Sequence, residues 1–391
     1  MITPRFLRAL SIYLRITSRY LYAIPYEVTG TGSNMKLQMC KDSKNFFWFH
    51  VNFSIQCETM IYSFLRLCQM HVTGAYGDSI HPYVIHAFNM VGFGYPVYLQ
   101  LYLMFYGKDF CNYFNQSVAY DQALRERYWK QKRKKSLDFL EASSSCVILF
   151  VYFQGVCFAL YSLMKPSKPF FHCSLLMELG WPMWMQIPVK VYECYMFINC
   201  WHVIVSLWVT LLGASYPIAR WPMELIDTKL NPDPNFVRKT KEELRTDSCS
   251  LPTYRSLYLL VCRLNDVAKI WIVGVSFFVG KFVGIYMAFA TFKLGMEMTI
   301  PLKEYLAYPT SCFFLVILFA LAAPEAEKVH ITSDEYITKM KCQKTKILRR
   351  ESSSLRHMAI WVYDFFCFER GTFSEVMYDS INEVGDLIIS F

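Results

Sequence analysis

Four carboxylates near the end of the chain, Glu375, Asp379, Glu383 and Asp386, are spaced four, four and three residues apart. On a helix that spacing gathers them within an arc of about 80°, and Asn382 joins them. The opposite face carries Val376, Met377, Ile381, Val384, Leu387 and Ile388. The chemistry open to such a stripe is electrostatic: four carboxylates and an amide offer no nucleophile. Facing lipid, each carboxylate would cost about 2.5 kcal/mol or more near the bilayer centre. The helix must therefore lie in an interface, form a solvated tail, or line water between subunits, where rings of carboxylates attract cations. A solvated face is the ordinary reading of a charged amphipathic terminus. The place of this helix after the other spans keeps the water-lining alternative open beside it.

Catalytic patterns are sparse. No HExxH, GxSxG or GxxxxGK[ST] occurs in the sequence, so no enzyme, catalytic residue, metal site or cofactor is expected. Tyr363-Asp364 and Gly385-Asp386 faintly resemble the paired motifs of an intramembrane aspartyl protease, which needs two carboxylates sharing one proton. Asp364 falls in a polar segment, however, and the second motif lacks the preceding glycine of GxGD. The fourteen cysteines form no CxxC pair and lie mostly in or beside apolar runs, which argues against a disulfide framework.

The elements that must position the stripe are membrane spans. Of 391 residues, 54% are hydrophobic and 18% charged, against roughly 25% charged in a soluble protein. The apolar residues are gathered in blocks of spanning length. Clear runs cover 145–164, 191–214, 268–292 and 303–323, and a further run covers 84–106. The run 46–69 is weaker, because it holds His50, Asn52, Glu58 and Arg66, and 373–391 is weakest. The expected fold is all-α, with seven transmembrane helices.

Basic residues orient the spans. Lys plus Arg number 7 in residues 1–45, 8 in 107–143, 7 in 217–262 and 9 in 325–372. The alternate connections 70–83, 165–189 and 293–303, with the tail, hold 4 between them. Positive residues stay inside, so the N-terminus is cytosolic and the C-terminus extracellular. The net charge of +9 therefore reflects orientation and gives no reason to expect a nucleic-acid partner. A G-protein-coupled receptor has the reverse orientation, and neither Asp-Arg-Tyr nor NPxxY stands where that class has them.

Arginines at 5, 8, 15 and 19 interrupt the first 24 residues, which read as an amphipathic helix on the cytosolic membrane surface rather than a signal peptide. Glu178, Pro182 and Pro188 mark 170–188 as a folded outer loop. Gly280 and Gly284 suggest close helix packing, and Lys281 between them must snorkel, pair or face water. The sequons at Asn52 and Asn115 fall in a span and a cytosolic connection, so neither should be glycosylated. The run RRESSS at 349–354 suits a basophilic kinase.

The arrangement resembles the arthropod chemoreceptor superfamily of gustatory and odorant receptors. The resemblance is carried by the topology and by LPTYRSLYLLVCRLNDV at 251–267. It is carried also by the basic segment KMKCQKTKILRRESSSLRHMAIWVYDFFCFERGTFSEV and by a last helix ending in Phe391. Aligned on Phe391, the gustatory signature TYxxxxxQF meets Glu383, Val384 and Ser390, so only the final Phe agrees and the chain resembles a divergent member.

The resemblance implies a plasma-membrane, multi-pass, tetrameric cation channel gated by a small organic molecule, with subunits in homomers or with a co-receptor. It implies a cytosolic segment over 1–45 and six spans with an outward-facing pocket over 46–323. A basic linker and anchor half-helix would fill 324–372, and a pore helix 373–391. The pore residues would be Glu375, Asp379, Asn382, Glu383 and Asp386. The anchor would include Arg349, Arg350, Arg356, Trp361, Tyr363 and Phe366. The ligand pocket would draw on His86, Tyr161, Tyr192, Glu193, Tyr195, Asn199, Trp201, His202 and Tyr308, aromatic walls with a few polar groups. The alternative is a membrane solute transporter or a non-conducting membrane protein.

Overall fold

A computed structural model describes residues 2–390 apart from 75–79, 131–141, 227–238, 298–306, 343–349 and positions 143, 146, 147, 150, 151, 154, 155, 157–159, 161, 169 and 170. The fold is all-α with two small hairpins. Helix α1 spans Pro4–Arg19, followed by a hairpin of β1 (Tyr26–Thr29) and β2 (Lys36–Met39). Helices α2 (Ser43–Val72) and α3 (Ile80–Tyr128) come next, and the described positions from 142 to 164 are helical. Then follow the short α4 (His172–Glu178), α5 (Met183–Leu225) and α6 (Asp247–Ala268). A π-helical turn, Lys269–Gly274, leads without a break into α7 (Val275–Glu297). Helix α8 (Ala307–Lys341), a hairpin of β3 (Trp361–Val362) and β4 (Phe366–Cys367), and α9 (Thr372–Ser390) complete the chain. The described residues of each of the seven apolar runs lie in a helix, and α9 stops at the edge of the described chain.

The chain divides into two compact units. The first comprises Arg5–Cys111 and Glu141–Thr210. Its α2 is inverted relative to a soluble helix. Phe49, Asn52, Gln56, Thr59, Ser63, Arg66 and Met70 are buried, a seam of alternating three- and four-residue steps filled mostly by polar groups. The outer face shows Ile61, Phe64, Leu65 and, at 84% exposure, Val72. On the 142–164 segment Leu149, Phe153, Val156 and Leu160 form one exposed apolar stripe. Polar groups inside and apolar groups outside suit a hydrocarbon solvent, in which polar side chains must find partners within the protein. By length and composition, Met183–Leu225 and Ile272–Lys293 are the helices among the described residues apolar enough throughout to cross a membrane.

The second unit comprises Met1–Pro4, Asn112–Leu140 and Leu211–Phe391. Here α7 packs on α8 and α9. A Cβ on Gly280 would stand 2.8 Å from the Phe319 ring, which is the close packing that its spacing suggests. The rings of Tyr254 and Tyr336 stack at 4.5 Å. The Tyr254 hydroxyl donates to the Arg356 carbonyl at 2.8 Å and contacts Ser333 Oγ at 2.6 Å. Met358 N–H donates to the same Ser333 oxygen at 2.7 Å, so one buried pair ties the segment after α8 to α6 and α8.

Three expectations change. The N-terminal helix is amphipathic, but Phe6, Leu7, Leu10, Tyr13 and Leu14 are buried in the protein rather than presented to a membrane surface. Helix α5 starts at Met183, eight residues before the expected 191, with Pro188 carried in its second turn, where its missing N–H forgoes one bond to the turn before. Among the described residues the expected anchor half-helix is not seen over 355–371: 361–367 forms the β3–β4 hairpin. The sequence WVYDFFCF is rich in aromatic and β-branched residues that favour extended backbone, and the π turn provides its docking edge. The Lys269 carbonyl accepts from Tyr363 N–H at 3.2 Å. Asn265 donates to the Ala359 carbonyl and accepts from Trp361 N–H.

Candidate functional site

Within the first unit, α2, α3, α4 and α5 line a small pocket with room for about one water molecule. Its apolar lining is Phe93 from α3, Phe171 from the turn before α4, and Met196 and Phe197 from α5. Its polar lining is Thr59 from α2, His172 from α4, and Tyr192 and Glu193 from α5. The Phe197 ring centroid lies 5.2 Å from that of Phe93 and 5.8 Å from that of Phe171, a fused aromatic wall.

The loop before α5 folds back to close this pocket, and polar contacts join the Phe171 ring in fixing it. The Tyr62 hydroxyl donates to the Phe171 carbonyl at 2.9 Å, and the His172 ring stacks on Tyr62 at 4.0 Å. His172 Nε2 lies 3.2 Å from Glu58 Oε1, while its Nδ1 faces Glu193 Oε1 at 3.8 Å. Burial pushes the His172 pKa down, with the Glu58 carboxylate opposing the shift. Cys173 N–H donates to Glu193 Oε1 at 3.0 Å. Arg66 pairs with Glu178 at the end of α4 and also donates to Gln69 Oε1. The Tyr192 hydroxyl donates to Glu58 Oε2 at 2.8 Å.

Below the cavity, Asn199 is a hub. Its Nδ2 donates to the Leu21 carbonyl at 2.6 Å and to the Tyr195 hydroxyl at 3.0 Å. Its Oδ1 accepts from Asn52 at 3.0 Å and from Gln56 at 3.1 Å. The Leu21 and Tyr22 carbonyls are available because the chain leaves α1 through a left-handed residue, Tyr22 at φ 50°.

Of the nine expected pocket residues, the structure brings Tyr192 and Glu193 to the cavity. Tyr195 and Asn199 belong to the hub. His86 is buried, its Nε2 2.6 Å from the Ser63 carbonyl, and His202 is taken by the Tyr13 hydroxyl at 3.1 Å and the Tyr152 ring. Trp201 is half-buried on α5. Tyr161 and the side chain of Tyr308 lie outside the described residues. Sequence reasoning missed Glu58, Thr59, Tyr62, Phe93, Phe171 and His172. The signal for those on α2 was present, as polar residues at three- and four-residue spacing in an apolar run.

On α9, Glu375, Asp379, Asn382, Glu383 and Asp386 are exposed, while Val384 on the far side is buried. Glu383 pairs with Lys281 of α7 at 2.8 Å, which resolves how that lysine is accommodated. Tyr378, Ile381 and Ile389 flank the stripe and are also exposed. Ile381 thus lies outside the buried face expected of it. Of the anchor residues, Trp361 sits in β3, Phe366 packs on Phe277 at 5.2 Å and Tyr363 forms the hairpin turn at φ 53°. Arg350 is exposed, and Arg356 contributes its carbonyl. Arg349 lies outside the described residues.

No protein-family model and no curated protein matches the sequence. Solved structures do match the fold. The structure of the insect olfactory receptor OR5 from Machilis hrabei in complex with eugenol aligns with a TM-score of 0.61 at 10% identity, over 99% of this chain and 98% of that one. A second structure of the same receptor gives 0.59 at 11% identity, over 98% and 97%. The resemblance to arthropod chemoreceptors is thus one of fold over the whole length, and the chain carries the fold of an insect olfactory receptor.

Proposed function

We propose that this protein is a chemosensory receptor of gustatory-like type, acting as a ligand-gated, non-selective cation channel in the plasma membrane. The observation that carries this reading is the end-to-end fold likeness to an olfactory receptor that holds a small organic molecule. The seven helices span the bilayer, with the N-terminus cytosolic and the C-terminus extracellular. The inverted α2 and the apolar stripe on 142–164 support immersion in lipid.

Four copies place their α9 helices around one axis. Asp379, Asn382 and Asp386 then face water in the pore with Glu375, while Glu383 is shared with Lys281. The apolar flank of Tyr378, Ile381 and Ile389 suits contact with a neighbouring subunit. Conduction follows from rings of carboxylates that replace part of a cation's hydration. Ligand entry at the pocket closed by α4 requires that pocket to widen, which changes the packing of α2 and α5.

Expression in cells with whole-cell recording tests this. Ligand-evoked cation current is expected, and Asp379→Asn should shift the permeability ratio among monovalent and divalent cations. Unchanged permeability would remove α9 from the pore. A monomeric protein with no evoked current would favour a transporter or scaffold instead.

A further inference from the structure

An arginine-directed serine kinase reads a basic side chain three residues before its target, and burial decides which matches to that spacing it can reach. Among the described residues the pattern RxxS ends at Ser11, Ser18, Ser248 and Ser353, while Ser352 follows Arg349 at the same spacing. Ser11, Ser18 and Ser352 are buried. Ser248 is exposed, but the arginine that would mark it is not. The Arg245 side chain is 7% exposed and donates to Glu242, to Thr240 and to the Glu224 carbonyl. Ser353 and its arginine, Arg350, are both exposed. The structure thus selects the second serine of RRESSS, not the first.

The local backbone suits entry into a kinase cleft. Ser354 N–H donates to the Glu351 carbonyl at 3.2 Å and Leu355 N–H to the Ser352 carbonyl at 3.1 Å, which close a single turn after the helical residues 350–352. The buried attachment of this segment begins further on, at the Arg356 carbonyl and the Met358 N–H. Opening the turn leaves that attachment in place. A phosphate at Ser353 also has cations to meet it. Arg350 and Arg356 stand three residues to either side, and the half-exposed Arg255 of α6 faces Glu351 at 3.8 Å. We propose that Ser353 is a phosphorylation site for an arginine-directed serine kinase. The γ-phosphoryl group of MgATP passes to Ser353 Oγ: the new O–P bond forms as the bond to the β-phosphate oxygen breaks. ADP leaves, and the hydroxyl proton goes to the kinase base. The Ser353 hydroxyl now donates to the Arg350 carbonyl at 2.6 Å, a bond that the ester oxygen no longer makes. The inference does not depend on conduction, and it rests on the proposed topology for placing 325–372 in the cytosol, where ATP and such kinases are found.

The full-length protein in lipid nanodiscs, which leave both faces open, is incubated with the catalytic subunit of protein kinase A and MgATP. Mass spectrometry then reads phosphate on the fragment Glu351–Arg356. Ser353 should be modified, and Ser353→Ala or Arg350→Ala should lower the phosphate on that fragment at least about tenfold. Both substitutions are at exposed positions, and the wild-type position of the phosphate is decisive without them. An unmodified fragment, phosphate that persists at Ser352 or Ser354 in Ser353→Ala, or higher occupancy at Ser248 overturns the proposal. The same kinase added outside intact cells should leave Ser353 unmodified, whereas inverted membrane vesicles should admit it. Modification from outside upholds Ser353 as the kinase target and sinks the proposed topology. An unmodified fragment in nanodiscs sinks the site and leaves the topology standing.

Discussion

Two seams, one in each unit, bury contrasting kinds of side chain. In the first, the inner seam of α2 is Asn52, Gln56, Thr59, Ser63 and Arg66, each facing a specific partner on another segment or left with an unfilled acceptor. In the second, the interior is ring on ring, with Tyr254 on Tyr336 and Phe277 among Phe319, Phe366 and Phe368, while the carboxylates of α9 stay outside. Apolar contact is not a strong driving force between helices in lipid, so the α2 seam is assembled by hydrogen bonds. The second unit, which carries a charged helix, relies at that helix on aromatic packing and close approach.

That contrast can be broken at its strongest point. Asn199→Leu should destabilise the protein by about 3 kcal/mol, because the Leu21 carbonyl and the Asn52 and Gln56 amides lose partners together. Thermal unfolding in detergent measures this, and a loss below about 1 kcal/mol would mean that the hub is not structural. In the second unit, Gly274→Ala would put a Cβ 2.4 Å from the Tyr363 ring and 2.8 Å from the Lys269 carbonyl. A cost of about 2 kcal/mol is expected, read as faster hydrogen exchange at the Tyr363 amide. Unchanged exchange would remove close approach as the device that holds the hairpin.

The closing loop sharpens the comparison through pH. The His172 pKa is held below its ordinary 6.5, so an opened loop binds protons more tightly than a closed one. The histidine's contribution to closure is therefore fully present above about 6.5 and weakens as pH falls through it. Exchange over His172–Glu178, corrected for intrinsic rates, should rise more between about pH 7 and about pH 5 in the wild type than in His172→Gln, and equal responses would remove the histidine as the cause. The smallest effect belongs to Lys281→Met. Its partner Glu383 has a side chain 46% exposed, so the pair contributes at most about 1 kcal/mol to stability. A larger loss of melting temperature would show that α9 is pinned by charge and not by packing.

The all-α class and the acidic stripe are legible in the sequence because length, hydropathy and periodicity act locally. Tyr192 and Glu193 are legible for the same reason, as polar groups at the head of an apolar run. Thr59, Phe171 and His172 are not, because their meeting depends on a loop folding back onto α2. The polar seam was visible as Asn52, Glu58 and Arg66, yet in one dimension a buried polar seam and a poor span look alike. The β3–β4 hairpin escaped because its strands are two residues long and owe their conformation to a carbonyl on another segment.

That carbonyl belongs to the π turn at Lys269–Gly274, which has a consequence beyond docking the hairpin. A turn wider than the 3.6-residue repeat carries extra residue length, and one residue corresponds to about 100° of rotation. The turn therefore acts as a phase setting between α6 and α7. It determines that the buried edge of α6 through Tyr254, Val261 and Leu264 and the Lys281 edge of α7 point where they do. Removing a single residue from 269–274 would leave every side chain of α7 intact and turn Lys281 away from Glu383 by about a quarter of a circle.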